Sequence, residues 1–255
     1  MKKIKRVDLE KFINQTLEIK NFQDYGPNGL QIEGSEELTK IAFAVSATKE
    51  SIERSVEEKA DALIVHHGLF WKFHGVRTIT HAFAKRVKPL IKNDINLFGY
   101  HLPLDAHPEI GNAKILANQL EMKDCGPFGN HKGVSTGIHG TFVSPQKPSE
   151  LKLKLEKILD HNVLHSCPDD RPIKTLGIIT GGANGDWVHC LSDNLDAYLT
   201  GEMSEHDWHE AKESGVHMFA GGHHATERFG IQALQGLISK EYGVETIFID
   251  SQNPA

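Results

Sequence analysis

The sequence predicts an α/β protein of two similar lobes with mainly parallel sheets. Three observations carry this reading: short β-branched apolar runs, helical stretches that alternate with them, and a rhythm that occurs twice along the 255 residues. Strands alternating with helical patterns form βαβ units, whose crossovers bring successive strands together in parallel. In the first half, residues 40–45 read as a strand, 49–59 as a helix and 62–65 as a buried strand. A helix over 82–92 and a strand over 95–100 follow. Glycine and proline at Gly126, Pro127, Gly129, Gly137, Gly140, Pro145 and Pro148 then mark a change of lobe. In the second half, 149–159 is a helix with the one-sided apolar stripe Leu151, Leu155, Ile158 and Leu159. A strand over 175–180, a helix over 187–192, a short strand over 197–199, a helix over 205–213 and a strand over 216–220 continue the pattern. The last helix starts at His224 or Thr226 and turns Ile231, Leu234, Leu237 and Ile238 inward, before a closing strand over 246–249. The expected lobes are 1–125 plus 221–255, the metal-binding lobe, and 126–220.

Composition narrows the function. Hydrophobic content of 39% and charged content of 24% are those of an ordinary globular protein, and a formal net charge of -6 argues against a general nucleic-acid-binding surface. Cys125, Cys167 and Cys190 are odd in number and far apart, so neither a thiolate zinc site nor a disulfide framework is expected, and a reducing cytosol fits. Met1-Lys2-Lys3-Ile4-Lys5 has no apolar region behind it that would make a secretory signal. No run is long enough to span a bilayer. A cytoplasmic protein without membrane contact is the expectation.

The chemistry is concentrated in histidine, of which there are 16. The strand over 62–65 runs into His66-His67-Gly68-Leu69-Phe70-Trp71. Side chains alternate along a strand, so two adjacent imidazoles suit two neighbouring metals at a strand terminus, with Gly68 free to bend. A second apolar run ends in His101-Leu102-Pro103-Leu104-Asp105-Ala106-His107, and a third in Gly221-Gly222-His223-His224-Ala225-Thr226-Glu227. Ligands bind outside the carboxyl ends of strands in open α/β sheets, so three such ends bearing imidazoles and carboxylates read as one site. Mixed nitrogen and oxygen donors suit zinc, iron, manganese or cobalt. His107 and His224 read as supporting or solvent-facing residues, and His74, His81, His131, His161, His165 and His217 as surface or packing residues. Glu202, Glu205 and His206 stand at the matching strand end of the other lobe with no assigned role.

These motifs, together with Asn28-Gly29-Leu30-Gln31, which reads as a turn near the metal pocket, occur in an order that resembles the Nif-three-like family of dinuclear-metal proteins, the GTP cyclohydrolase I type 2 homologues. The resemblance covers essentially the whole chain, in the compact form without an inserted domain. It implies two interlinked α/β lobes, a toroidal homohexamer, and two divalent metal ions per chain (zinc, iron or manganese). His66 and His67 would each bind one ion and Asp105 one of them; His223 would bind the other, with Glu227 bridging. Where many relatives carry an aspartate after the first strand, this chain has Val45-Ser46-Ala47-Thr48, and no metal role is assigned there. The implied activity is metal-dependent hydrolysis with metal-bound hydroxide as nucleophile. For a GTP-like nucleotide, attack at C8 of the purine would open the ring and release formate, with His101 protonating N7. The alternative is a non-enzymatic metal-bearing ring that binds a regulatory protein or a nucleic acid.

Overall fold

The computed structural model describes residues 2–255, which form two compact units. The first runs to Leu104 and resumes over Gly230–Gln252; the second takes Asp105–Phe229 and Asn253–Ala255. In chain order the first passes through β1 (Ile4–Lys5), α1 (Arg6–Thr16), β2 (Gly29–Ile32), β3 (Glu37–Leu38), β4 (Lys40–Ser46), α2 (Lys49–Glu57), β5 (Ala62–His67), α3 (His81–Lys92) and β6 (Asn96–Gly99). The short α4 (Leu102–Asp105) follows. The second unit contains α5 (Asn112–Gln119), β7 (Lys123–Phe128), β8 (Gly137–Gln146), α6 (Pro148–Leu159), β9 (Leu164–Ser166), β10 (Ile173–Ile178), α7 (His189–Asp193), β11 (Ala197–Thr200), α8 (Glu205–Glu213), β12 (His217–Ala220) and α9 (His223–Thr226). Then come α10 (Arg228–Tyr242) and β13 (Glu245–Phe248).

The sheet of the first unit has the order β13-β4-β5-β6-β2, parallel throughout except for the antiparallel edge strand β2. Strands of a covered parallel sheet are continuously apolar. Ala62, Leu63, Ile64 and Val65 of β5 are accordingly fully buried, and Leu63, Val65 and Leu97 share a core with Ile52 of α2 and with Val87 and Leu90 of α3. Thr48 caps α2: its Oγ1 accepts from Ser51 N while Ser51 Oγ accepts from Thr48 N. Asn28-Gly29-Leu30-Gln31 is not a turn, because residues 29–32 form β2 and Leu30 pairs with Phe98. Four residues with a glycine and a glutamine are too short a run to display a period of two.

The second sheet has the order β7-β8-β10-β11-β12-β9, with parallel pairing over β10, β11 and β12. Leu151, Leu155 and Leu159 of α6 pack with Leu176, Ile178, Leu199 and Phe219. The glycine-rich stretch after residue 125, read above as a change of lobe, is taken up by β7 and β8, an antiparallel pair at one edge of this sheet. Pairing of β7 places residues 123–128 in the second unit, and packing of Ala225 and Phe229 against its core keeps residues 221–229 there too. Residues 187–192 comprise the end of a 3-10 turn (Asn184–Val188) and most of α7.

The two units share a detail beyond their rhythm. Asp61 Oδ2, just before β5, accepts from the main-chain N–H of Thr39 and Lys40 and from Thr39 Oγ1. Asp196 Oδ2, just before β11, accepts from the main-chain N–H of Lys174 and Thr175 and from Thr175 Oγ1. The following strand enters each sheet alike, with Asn96 N–H donating to Asp61 O and His217 N–H to Asp196 O. Asp-Ala followed by an apolar run is therefore a repeated clasp that sets the register of the central strands.

Candidate metal centre

The carboxyl ends of β4, β5 and β6 deliver Ser46, His66, His67 and His101. Strand β5 extends through both histidines, and His67 still pairs with Ser46, whereas the pairing with β6 stops at Val65 and Gly99. Released from one neighbour, the His66 and His67 rings lie with centroids 4.6 Å apart and tilted by 54°. The His101 ring is 5.0 Å from His66 and 5.6 Å from His67. One nitrogen from each of the three rings lies within 4.8 Å of the others, a group that could hold a metal ion. Gly68 does not bend the chain by a positive φ. Its role is steric: a Cβ there would stand 2.3 Å from the Gln31 amide, and one on Gly99 2.5 Å from it. Gln31 lies against both glycines, its Oε1 accepting from Leu69 N–H and its Nε2 donating to Pro27 O.

Each ring is anchored through Nδ1. His66 Nδ1 donates to Tyr100 O at 2.9 Å, His67 Nδ1 meets Ser46 Oγ at 3.0 Å, and His101 Nδ1 meets Asp24 Oδ1 at 2.7 Å. A carbonyl can only accept, so His66 carries its proton on Nδ1 and presents a lone pair at Nε2. Hydrogen bonding of one imidazole nitrogen to an oxygen so that the other can ligate is the usual support of a metal-binding histidine. The donor set and its anchoring fit a divalent metal.

Asp24 is buried. Its Oδ1 also accepts from Tyr25 N–H, and its Oδ2 accepts from Asn28 Nδ2 at 2.8 Å and Leu102 N–H at 2.9 Å. Burial works to raise its pKa; the hydrogen bond and charge of His101, with the bonds from Asn28 and Tyr25, outweigh that and hold the carboxyl at about 2. Asn28 Oδ1 accepts from His101 N–H at 2.8 Å, and the Trp71 ring meets that of His101 edge-on at 5.1 Å. Neither Asp24 nor Ser46 is signalled by the sequence. Asp24 stands in a loop 77 positions before its partner, and Ser46 is simply the last residue of an apolar strand.

The second unit gathers Asp105, His223 and Glu227, each at the end of a short helix or just beyond it. Buried Asp105 accepts at Oδ1 from Asn112 Nδ2 at 2.8 Å and from Thr180 Oγ1 at 3.4 Å. His223 Nε2 lies 3.2 Å from Glu227 Oε2, and His223 Nδ1 lies 2.5 Å from Glu202 Oε1. Burial disfavours charging the His223 ring, but Glu227 and then Glu202 prevail and raise its pKa to about 9. Glu202, unassigned from the sequence, is thus the carboxylate that anchors Nδ1 of a candidate ligand. Gly181 makes room for this pair: with φ +71, it brings its backbone so near that a Cβ would fall 2.1 Å from Glu227 Oε1. His107 Nδ1 accepts from Glu109 and Ile110 N–H, closing its own turn, and His224 N–H donates to Ala255 O. Glu205 and His206 lie on α8, where the Glu205 carboxylate meets His209.

The sequence profile of the Duf34/NIF3 family (NGG1p interacting factor 3) matches residues 4–254. A Pasteurella multocida protein named GTP cyclohydrolase 1 type 2 homolog is 43% identical, over 98% of this chain and 99% of its own. A Pyrococcus abyssi protein of the same name is 38% identical, over 97% and 98%. Among solved structures, protein ybgI, described as of unknown function, superposes with a TM-score of 0.91 at 39% identity, covering 99% of this chain and 100% of its own. A Thermus thermophilus protein does so with a TM-score of 0.88 at 31% identity, covering 99% and 100%.

Proposed function

Because the chain belongs to the Duf34/NIF3 family, we propose that it is a metal-dependent hydrolase in which His66, His67, Asp105, His223 and Glu227 hold two divalent metal ions per chain. The observation that carries this reading is the anchoring of the His66, His67 and His223 rings through Nδ1 to oxygen. Such metals would lower the pKa of a water molecule and orient an electrophile. The protein's own residues supply the remainder. His66 and His67 offer Nε2, Asp105 and Glu227 offer carboxylate oxygen, and Glu202 keeps the His223 ring turned toward Glu227.

His101 is the proton carrier of the reaction, moving a proton at Nε2 as the bond in the substrate opens. The substrate is a purine nucleotide of the GTP type, in keeping with the name of the relatives, and N7 receives that proton. Trp71 backs His101, with Phe73 stacked on Trp71 at 5.7 Å and 70% exposed, a surface that suits a flat ring. The working assembly is a toroidal homohexamer in the cytoplasm. Among the described residues no helix is long and apolar enough to cross a membrane.

The test is elemental analysis after reconstitution, followed by turnover of GTP and of simple phosphoesters with Glu227→Gln as control. Two ions per chain and hydrolysis abolished by the substitution are expected. One ion or fewer removes the dinuclear assignment, and a metal-replete protein inert on every substrate removes the hydrolase.

A further inference from the structure

Residues 62–93 contain no aspartate or glutamate, in a chain that has 34 of them, yet hold Lys72, Arg77, Lys85, Arg86, Lys88 and Lys92. A stretch this one-sided inside an acidic protein makes a local field that favours an anion. Its exposed part begins beside the first unit's histidines. Trp71 meets the His67 ring at 6.0 Å and the His101 ring at 5.1 Å, Phe73 stacks on Trp71 at 5.7 Å, and His74 meets Phe73 at 4.7 Å. The base of this loop is tied down: Lys72 N–H donates to Tyr25 O at 2.7 Å and Lys72 Nζ to Asp24 O at 2.6 Å. Arg77 ends the row of rings. Its guanidinium carbon lies 3.9 Å from the centre of the buried Phe83 ring, and Nη1 donates to His74 Nδ1 at 3.1 Å and to Leu69 O at 3.4 Å. An arginine only donates, so His74 Nδ1 accepts and that ring carries its proton on Nε2, a second donor beside the guanidinium. All three partners of Arg77 are neutral, and among the described residues no carboxylate pairs with it. The fork of an exposed side chain is thus held in place with its charge uncompensated, and Nε and Nη2 remain to donate.

We propose that Arg77 and His74 form the subsite that holds the phosphates of a nucleoside polyphosphate whose reacting end lies beside His67 and His101. The proposal rests on the hydrolase reading for the reaction and on the loop's own geometry for the subsite. A planar fork with donors side by side matches two phosphate oxygens. The rings between Arg77 and His101 set how far apart the two ends of the ligand must be. An anion gripped at Arg77 has to lie several bonds from the atom attacked beside His101, as in a nucleoside polyphosphate. A simple phosphoester carries both on one group and cannot span the row. Arg77 is therefore a specificity residue: it selects long anionic substrates and takes no part in breaking the bond. Lys92 stands at the far end of α3, roughly 16 Å along the axis from His81, so it adds to the field without touching the same ligand.

Calorimetric titration of the metal-reconstituted protein with GTP, ATP, guanosine and oligothymidylate tests the subsite without requiring turnover. GTP should bind more tightly than guanosine. In Arg77→Ala the Kd for GTP should rise about 10–100-fold, the worth of one or two charge-assisted hydrogen bonds. ATP should lose affinity by the same factor, because the subsite reads phosphates, and guanosine should lose none. Lys92→Ala should bind GTP as wild type does. Where GTP is turned over, the loss in Arg77→Ala should fall on KM rather than kcat. Arg77→Gln, whose flat amide still donates to Leu69 O, keeps the test open if Arg77→Ala does not fold. Undiminished GTP affinity in both Arg77 variants overturns the proposal, as does guanosine binding as tightly as GTP. Oligothymidylate that binds more tightly than GTP and is released by Lys92→Ala also overturns it, since the strip would then be a nucleic-acid surface. GTP that binds through Arg77 and is never hydrolysed defeats the hydrolase reading and upholds the subsite. Hydrolysis of GTP with one and the same KM in wild type and Arg77→Gln does the reverse.

Discussion

His101 and Asp24 show how one side chain takes its meaning from another. The sequence signals only His101, and one hydrogen bond at 2.7 Å makes Asp24 its partner. His101→Ala should leave the metal content as it is and lower the hydrolytic rate by about 10²–10⁴-fold, the usual worth of a general acid–base group. Metal analysis beside turnover decides this, and a lost ion would make His101 a ligand. Asp24 also has a signature in stability. Its pKa of about 2 lies below the ordinary 3.8, so it stabilises the fold at pH values above about 4, and that contribution is lost as the pH falls from about 4 through 2. The contribution is about 2 kcal/mol. Urea unfolding of wild type and Asp24→Asn along that range should show the gap between them closing toward low pH; a constant gap would mean that ionisation of Asp24 does not stabilise the protein.

At the scale of elements, the same clasp recurs in two sheets of different strand order. Asp61 holds the start of β4 and Asp196 that of β10, each through two main-chain donors and one threonine hydroxyl. Removing either carboxylate leaves three donors to find other partners, at a cost of about 2 kcal/mol. Asp61→Ala and Asp196→Ala should therefore destabilise to a similar degree by denaturant titration. A large effect in one and none in the other would mean that the clasp is decorative in one sheet. Metal content should survive in both, because the clasps lie at the amino ends of their strands, away from the candidate ligands.

For the whole molecule, the stabilising burial lies in the apolar cores within each unit, such as that around Leu63, Val65 and Leu97 in one and those around Leu155, Leu176 and Phe219 and around Trp187, Tyr198 and Met218 in the other. The candidate ligands are few and stand at the ends of strands and short helices. Glu227→Gln should lose metal and yet remain folded and of wild-type oligomeric size, which for the proposed ring is a hexamer. Light scattering coupled to size exclusion checks this, and a monomeric or aggregated variant would make the metals part of the scaffold.

Local sequence sets the α/β class, the alternation of strand and helix, and the residue types of the candidate metal site. These follow from local periodicity and from histidines that stop apolar runs at His66, His101 and His223. Which groups stand behind those histidines is set by the folded chain alone. Asp24, Asn28, Ser46 and Glu202 share no spacing with the rings they anchor, and β2 is too short to announce itself. Hydrogen bonds between residues far apart in the chain depend on strand register and loop path. Those are fixed by the packing of each whole unit, and no window of sequence contains them.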